Sequence, residues 1–200
     1  MKRPFDILLS ALGLIVTSPV MLVCVIAVKL SSPGPAIYGG TRVGRNKKEF
    51  RIYKLRTMRQ GADTMGPAIT AGDDPRITPT GRVLRRLKLD ELPQLLNVLR
   101  GDMSLVGPRP EASKYVAHYT PDQLRVLSVR PGITGPAALA YINEEEILRG
   151  GDAESAYLSR VMPMKLAIDL RYVDTATFAG DLRILAQTFL ALFRRRTTPA

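Results

Sequence analysis

Two adjacent carboxylates, Asp90 and Glu91, follow a basic stretch of the chain that contains Arg85, Arg86 and Lys88. One interpretation is structural, because acids are common at helix N-termini, where they accept hydrogen bonds from free N–H groups and face the positive end of the helix dipole. The other interpretation is chemical. Neighbouring cations lower the pKa of a carboxyl group, and the ionised carboxylate can act as a nucleophile on phosphorus. The local pattern leaves both interpretations open.

A second candidate for chemistry is Arg109, which lies between Pro108 and Pro110. Proline restricts the backbone, so the sequence predicts a rigid turn that holds the guanidinium in place. A guanidinium can bind a phosphate through two parallel N–H groups. The N-terminus of the helix predicted to follow Asp90 also favours anions. These residues together indicate a site for a phosphorylated substrate.

The composition of the chain also points to anionic partners. Its 200 residues carry a formal net charge of +11, which is typical of proteins that bind nucleic acids, anionic lipids or phosphorylated small molecules. The sequence has no Trp and no zinc-ligand spacing, so nucleic acid is not expected as a partner. The single Cys24 excludes a disulfide within the chain, and the single His118 excludes a metal site with several histidines.

The N-terminal segment is apolar over a length that matches a membrane. No charged residue occurs from Ile7 to Val28, and a helix of that length would extend about 33 Å, enough to cross the hydrocarbon core. Ser18-Pro19 lies in the middle of this run. Because Pro19 cannot donate to the carbonyl of Ile15, we expect a bend there, with the Ser18 hydroxyl bonding back to a freed carbonyl.

Basic residues flank both ends of this helix. Lys2 and Arg3 precede it, while nine Lys or Arg residues and one acid, Glu49, lie from Lys29 to Arg59. The positive-inside rule therefore gives no orientation for a straight span. A helix that enters the membrane, bends and returns would place both flanks in the cytoplasm. Three interpretations stay open at this point: a re-entrant helix, a straight span and the buried helix of a soluble core.

The rest of the chain predicts an α+β, mostly helical domain with short strands. Strands are expected at 36–38 and 50–55, because these segments have strand composition and flank a basic turn that contains Gly. Amphipathic helices are predicted over 80–89, 92–99, 121–127, 164–173 and 178–193, with a loop at 60–75 and a tight loop at 130–136. Pro93 is tolerated only in the first turn of a helix, which places Asp90 at or next to the N-cap. The last helix is expected either to pack on the core or to lie in the membrane interface.

Together these motifs make the chain resemble the bacterial sugar transferases, the monotopic polyprenyl-phosphate sugar-1-phosphate transferases. The resemblance covers nearly the whole chain, and its specificity comes from the order of motifs that are individually weak. They are Lys2-Arg3-Pro4-Phe5-Asp6, Ser18-Pro19, Tyr53-Lys54-Leu55-Arg56-Thr57-Met58, Asp90-Glu91-Leu92-Pro93-Gln94, Met103-Ser104-Leu105-Val106-Gly107-Pro108-Arg109-Pro110 and Arg130-Pro131-Gly132-Ile133-Thr134-Gly135.

The resemblance implies an architecture and a reaction. Family members carry a re-entrant N-terminal helix, broken at Ser-Pro, on the cytoplasmic face of the bacterial inner membrane. We therefore expect residues 1–30 to form that helix and residues 31–200 a cytosolic, membrane-associated catalytic domain. The family transfers a sugar-1-phosphate from a nucleotide sugar, usually UDP-linked, to undecaprenyl phosphate in a Mg²⁺-dependent reaction. We expect this chain to release UMP by a ping-pong route through a covalent aspartyl phospho-sugar, in the first membrane step of glycan assembly.

Roles for individual residues follow from the same comparison. The family dyad matches Asp90, the expected nucleophile, and Glu91, the expected Mg²⁺ ligand, while Asp169 matches a further acidic position of the family. The residues expected to bind substrate phosphate are Lys54, Arg56, Arg85, Arg109 and Arg130. Anionic membrane lipids are expected as further partners. The oligomeric state stays open, and a homodimer is compatible with the sequence.

The chain departs from the family pattern after Gly135. Many relatives continue with a Gln-Val-Asn-Gly-Arg-like stretch, whereas this chain has Pro136-Ala137-Ala138-Leu139-Ala140, followed shortly by three consecutive acids at 144–146. The departure leaves the identity of the sugar open. Since no multi-span region precedes the catalytic part, the chain resembles the minimal form of the family.

Two other functions compete with this one. A membrane-anchored basic adaptor that binds anionic lipid or nucleic acid through segment 42–59 would have no special role for Asp90. A glycosyltransferase that uses the sugar directly would release UDP instead of UMP. Analysis of the products therefore distinguishes the three functions.

Overall fold

The computed structural model describes residues 1–67 and 69–197, with side chains as far as Ala191. The described chain is mostly helical, with a long apolar N-terminal helix and short strands, as predicted. The helices are α1 (Lys2–Ser31), α2 (Pro79–Arg86), α3 (Gln94–Arg100), α4 (Ser113–Val116), α5 (Pro136–Ala140), α6 (Glu144–Ile147), α7 (Ala153–Ala156), α8 (Met162–Thr175) and α9 (Phe178–Thr197). The strands are β1 (Ile37–Val43), β2 (Glu49–Leu55), β3 (Ser104–Val106) and β4 (Gly132–Thr134).

Helix α1 is a single helix that extends through Pro19. The hydroxyl of Ser18 donates to the carbonyl oxygen of Ile15 over 2.8 Å. This carbonyl loses its usual donor because Pro19 has no N–H. The predicted back-bonding of Ser18 is thus confirmed. By length and composition, α1 is able to cross a membrane.

The buried residues of α1 lie near its two ends. Asp6 and Ser10 are buried at the start, and Cys24 and Val28 are buried towards the finish. Between them the large apolar side chains are exposed, for example Ile15 at 72 %. An exposed apolar surface of this kind is typical of a membrane or partner contact. The pattern argues against α1 as the buried helix of a soluble core.

Strands β1 and β2 form an antiparallel hairpin whose register runs from the pair Ile37–Leu55 to the pair Val43–Glu49. Both predicted strands are confirmed. Strand β1 extends beyond the predicted segment, because backbone pairing with β2 continues after its apolar start. The hairpin holds Lys54, near the end of β2, beside the segment that carries the dyad.

The segment around the dyad differs from the prediction. Lys88 has a left-handed conformation with φ of 56°, and it is followed by a 3₁₀ turn over Leu89–Glu91. Pro93 is the N-cap of α3, so the prediction that Asp90 lies at or next to the N-cap is wrong. The turn is closed by its own backbone, with the N–H of Leu92 donating to the carbonyl of Leu89 over 3.3 Å. The side chain of Asp90 therefore does not serve as a helix cap.

Strands β3 and β4 pair in parallel, and the prediction of a loop throughout 130–136 is wrong for this segment. The pairing brings two backbones very close, because a Cβ on Gly132 would lie 2.1 Å from the nitrogen of Gly107. Glycine is required here by this close approach, which the local sequence does not reveal. The pairing anchors the turn that carries Arg109 directly after β3.

The C-terminal helices complete the domain around an apolar cluster that includes Tyr115, Tyr157 and Leu166. The predicted helix at 121–127 is a 3₁₀ helix over Gln123–Ser128, and a π-helical turn over Tyr157–Val161 leads into α8. Helix α9 packs against α5, β3 and β4. Its other face leaves large apolar side chains exposed: Leu182, Phe189 and Leu190.

Candidate active site

A cavity of about 500 Å³ lies between the hairpin, the dyad and the C-terminal helices. The residues that line it come mainly from β1, β2 and the following loop, from α2, from the 3₁₀ turn, from the turn after β3, and from α6 and α8. They include six of the residues predicted for the site: Lys54, Arg56, Arg85, Asp90, Glu91 and Arg109. The fold thus gathers in one place residues that are distant in the sequence.

Glu91 holds two of these cations. Its Oε1 accepts a hydrogen bond from Lys54 Nζ at 3.0 Å and another from Arg109 Nη2 at 2.7 Å. Burial by itself would raise the pKa of Glu91, but the charges of Arg109 and Lys54 outweigh burial and hold that pKa well below its usual range. Glu91 in turn raises the pKa of Arg109. Burial lowers the pKa of Lys54, and Glu91 partly opposes this effect.

Asp90 lies beside Glu91 in a different environment. The residue is 6 % exposed, and its buried Oδ1 has no hydrogen-bond partner within the described part of the chain. Burial raises the pKa of Asp90, and the positive charges nearby, led by Lys54, compensate only in part. The prediction of a depressed pKa is therefore wrong, because the sequence shows the neighbouring cations but not the burial.

Arg85 and Arg56 line the cavity but also bind other parts of the protein. Arg85 donates to the Thr57 hydroxyl at 2.8 Å and to Glu145 at 2.9 Å. Arg56 donates through both terminal nitrogens to the two backbone carbonyls directly after α1. Arg56 thus ties the end of the membrane helix to the domain, and its expected contact with phosphate stays a prediction.

Arg130 and Asp169, also predicted for the site, are not among the residues that line the cavity. Arg130 donates through Nε to the carbonyl of Gly101 at 2.9 Å, which ties the end of α3 to the start of β4. Asp169, on α8, is 4 % exposed, and its buried Oδ1 has no hydrogen-bond partner within the described residues. Burial raises the pKa of Asp169 to about 7, and Lys165, one turn earlier, opposes this rise.

Several charged residues that line the cavity were not selected from the sequence, among them Glu111, Glu144 and Lys165. Glu111 follows the Pro-Arg-Pro turn directly, and Glu144 belongs to the stretch that departs from the family pattern, so the sequence offered a reason to consider both as site residues. It offered no such reason for Lys165. Nothing in its local sequence distinguishes it from a surface lysine, and only the tertiary structure buries it in the cavity wall.

The dyad fits a magnesium ion that is shared with a substrate. The described residues contain no group of three or more His, Cys, Asp or Glu side chains that could hold a metal. Mg²⁺, however, commonly takes one or two carboxylates from the protein and completes its coordination with substrate phosphates and water. The two carboxylates of the dyad, one with an unpartnered buried oxygen, match that donor set.

Comparisons with known proteins identify relatives along nearly the whole chain. The family model described as "Bacterial sugar transferase" matches residues 1–195. The chain is 42 % identical over 194 residues to the UDP-glucose:undecaprenyl-phosphate glucose-1-phosphate transferase of Caulobacter vibrioides, covering 96 % of this chain and 69 % of that protein. It is 42 % identical over 190 residues to the UDP-N-acetylgalactosamine-undecaprenyl-phosphate N-acetylgalactosaminephosphotransferase of Aeromonas hydrophila, covering 94 % and 42 %.

A shorter relative is matched over nearly its full length. The chain is 38 % identical over 202 residues to the exopolysaccharide production protein PSS of Rhizobium leguminosarum bv. phaseoli, covering 98 % of this chain and 96 % of that protein. The family match includes the dyad, the Pro-Arg-Pro turn and the apolar helix on which the resemblance was based. The chain therefore belongs to the bacterial sugar transferase family.

Proposed function

We propose that this protein transfers a sugar-1-phosphate from a UDP-sugar to undecaprenyl phosphate and releases UMP. The observation that carries the proposal is the Asp90–Glu91 dyad in a cavity lined by Lys54, Lys88 and Arg109. A nucleophilic carboxylate among phosphate-binding cations suits displacement at phosphorus. The relatives support this activity, since two of them are named as transferases that use UDP-glucose or UDP-N-acetylgalactosamine and undecaprenyl phosphate.

In the first step, an oxygen of the Asp90 carboxylate attacks the phosphorus bonded to the sugar. An acyl phosphate bond forms, the bond from this phosphorus to the bridging oxygen of UMP breaks, and UMP leaves with the electron pair. The buried Oδ1 of Asp90 has no hydrogen-bond partner within the described residues, so no hydrogen bond to those residues has to break before this oxygen attacks. Lys54, Arg85 and Lys88 favour the ionised carboxylate against the effect of burial.

In the second step, a phosphate oxygen of undecaprenyl phosphate attacks the same phosphorus, and Asp90 is released as a carboxylate. The two substrates react in turn, so ping-pong kinetics are expected. Glu91 holds Lys54 and Arg109 in place throughout. The N–H groups of Arg109 that Glu91 does not engage are suited to phosphate oxygens.

Mg²⁺ belongs to this proposal, with Glu91 as a protein ligand and with pyrophosphate oxygens and water as the others. When bound, the ion would offset negative charge on the leaving UMP. Lys54, Lys88 and Arg109, which line the cavity, would position the pyrophosphate, and Glu91 would do so through the metal ion.

The contacts of α1 support a re-entrant helix whose two ends lie on the same side of the membrane. At its start, Lys2 donates to Asp181 at 2.6 Å and to the carbonyl of Val106 at 2.9 Å, and Ser104 donates to Asp6 at 2.7 Å. At its other end, the backbone after α1 is bound by Arg56. A helix of this length extends about 45 Å, and a straight span would separate ends that the structure joins to one domain.

The location that follows is the cytoplasmic face of the bacterial inner membrane. The exposed apolar middle of α1 would enter the bilayer, while the exposed Leu182, Phe189 and Leu190 of α9 would contact its interface. Exposed basic residues outside the cavity, such as Lys29 at the end of α1, would face anionic lipid headgroups. In this position the protein would carry out the first membrane step of exopolysaccharide or related glycan assembly.

The topology can be tested by cysteine labelling. Pro4 and Glu146 are exposed, so we expect Pro4→Cys and Glu146→Cys, each with Cys24→Ala, to resist a membrane-impermeant maleimide in intact cells. Both should react after the cells are permeabilised. Labelling of position 4 alone in intact cells would place the two ends of α1 on opposite sides and contradict re-entry.

The activity is tested by incubating the detergent-solubilised protein with UDP-sugars, undecaprenyl phosphate and Mg²⁺. The proposal predicts UMP and a lipid-linked sugar diphosphate. Release of UDP would indicate direct glycosyl transfer, and an absence of product with lipid binding retained would indicate the adaptor function.

A further inference from the structure

A cluster of three charged side chains lines the cavity on the side of the C-terminal helices. Lys165 of α8 donates through Nζ to Glu144 at 2.6 Å, and the same nitrogen lies 3.8 Å from Glu111. Lys165 is only 5 % exposed. All three residues line the cavity, so the cluster is at once buried in the protein and open to a bound molecule.

The cluster is held rigidly by Tyr157. The Tyr157 hydroxyl donates to Glu111 Oε1, and its ring centroid lies 5.1 Å from Lys165 Nζ. Tyr157 itself is 1 % exposed and belongs to the apolar core. It opens the π-helical turn before α8, a distortion that is frequent at functional sites. The cluster is therefore preorganised, as binding groups need to be.

The turn after β3 connects this cluster to the site of phosphoryl transfer. Arg109 and Glu111 are separated by Pro110 alone, yet Arg109 bonds to Glu91 while Glu111 faces Lys165. One rigid segment thus carries a phosphate-binding group towards the dyad and a carboxylate towards the cluster. In the proposed reaction, the attacked phosphorus carries the sugar, so a sugar bonded to a phosphate at Arg109 would reach Glu111 and its neighbours.

The chemistry of the cluster suits a neutral sugar. Two carboxylates face one ammonium. The other cation that acts on both carboxylates, Arg109, is itself paired with Glu91, so the cluster keeps an excess of negative charge. Carboxylates accept hydrogen bonds from hydroxyl groups, and such charge-assisted bonds are strong. A carboxylate on the substrate would instead be repelled.

We propose that Glu111, Glu144 and Lys165 form the sugar subsite, which binds sugar hydroxyls and rejects sugars that carry a carboxylate. The inference rests on the proposed function. It also gives a role to the stretch after Gly135, where this chain departs from the family pattern, because Glu144 lies in that stretch.

The test measures UMP formation from UDP-glucose, UDP-galactose, UDP-N-acetylglucosamine, UDP-N-acetylgalactosamine and UDP-glucuronate. The native protein should prefer a neutral sugar over UDP-glucuronate. Glu144→Gln removes one negative charge and should lower kcat/KM for the preferred sugar by about tenfold to a hundredfold. The ratio of UDP-glucuronate to preferred-sugar activity should rise by at least about tenfold. Glu146→Gln, on the exposed side of α6, is the matched control and should change neither quantity.

Two results would overturn the subsite. One is good use of UDP-glucuronate by the native protein, and the other is an equal loss for all five substrates in Glu144→Gln. A thermal unfolding curve shows whether Glu144→Gln is folded. If this variant is unfolded, Glu111→Gln is tested in its place and judged by the same selectivity ratio. If the native protein forms no UMP from any of the sugars, the proposed function fails and the inference fails with it. If instead UMP is formed but the expected selectivity is absent, only the subsite is wrong and the proposed function stands.

Discussion

Replacing Asp90 with Asn is expected to lower the rate of UMP formation by at least about 10⁴-fold. The amide has nearly the same shape as the carboxylate, so the buried side chain should still fit, but it is a far poorer nucleophile. Because the native pKa is already raised by burial, removal of the charge should not destabilise the fold. The measurement is the initial rate of UMP release with saturating UDP-sugar and undecaprenyl phosphate.

The covalent role of Asp90 can be examined separately from the overall rate. Without lipid acceptor, the native protein incubated with its UDP-sugar and Mg²⁺ should gain the mass of one phospho-sugar, and Asp90→Asn should not. Asp122→Asn, at a carboxylate that is 66 % exposed, serves as the control and should behave as the native protein. If the native protein shows no adduct and its kinetics indicate a ternary complex, Asp90 acts as a base or metal ligand and the two-step route is wrong.

Changing Arg109 to Lys is expected to lower kcat/KM for the UDP-sugar by about a hundredfold. Arg109 uses one terminal nitrogen to hold Glu91 at 2.7 Å, and its remaining N–H groups are suited to a phosphate. A lysine keeps the positive charge but has no planar fork, so it cannot serve both partners with the same geometry. Steady-state kinetics with varied UDP-sugar at saturating lipid acceptor measure the effect.

A matched substitution distinguishes geometry from charge. Arg149→Lys changes an arginine whose side chain is 54 % exposed, and its kinetics should match those of the native protein. Were Arg109→Lys to retain activity within about threefold of the native value, the bidentate contact would be disproved, and a simple positive charge at position 109 would suffice.

The apolar helix and the hairpin strands could be predicted from the sequence because their signals are local. The length of an uncharged run determines whether a helix can cross a membrane. Because Pro19 has no N–H, the sequence also shows which carbonyl lacks its donor, and Ser18 binds that carbonyl. The order of short motifs was sufficient to predict the family, which the match over residues 1–195 confirms. These inferences do not require knowledge of the tertiary packing.

The segment around the dyad shows where local signals were insufficient. Pro93 was correctly placed at the start of a helix, but the sequence did not reveal the left-handed Lys88 or the 3₁₀ turn after it, which contacts both β2 and α2. Gly132 was predicted as a loop residue, whereas it lies in a parallel strand pair that brings its backbone too close to Gly107 for a side chain. A strand pairs with a partner that can be anywhere in the chain, so its own sequence does not identify that partner.

The electrostatics of the site were decided by the tertiary structure alone. The cations near Asp90 in the sequence suggested a lowered pKa, but burial determines the direction of the shift. Glu91 is paired with Lys54 and Arg109, and Lys165 with Glu144, across long separations in the chain. The physical reason is that a charge responds to desolvation and to its neighbours in space. Residue types and order reveal which groups are present, and only the folded chain determines how far each is removed from water and which charges it meets.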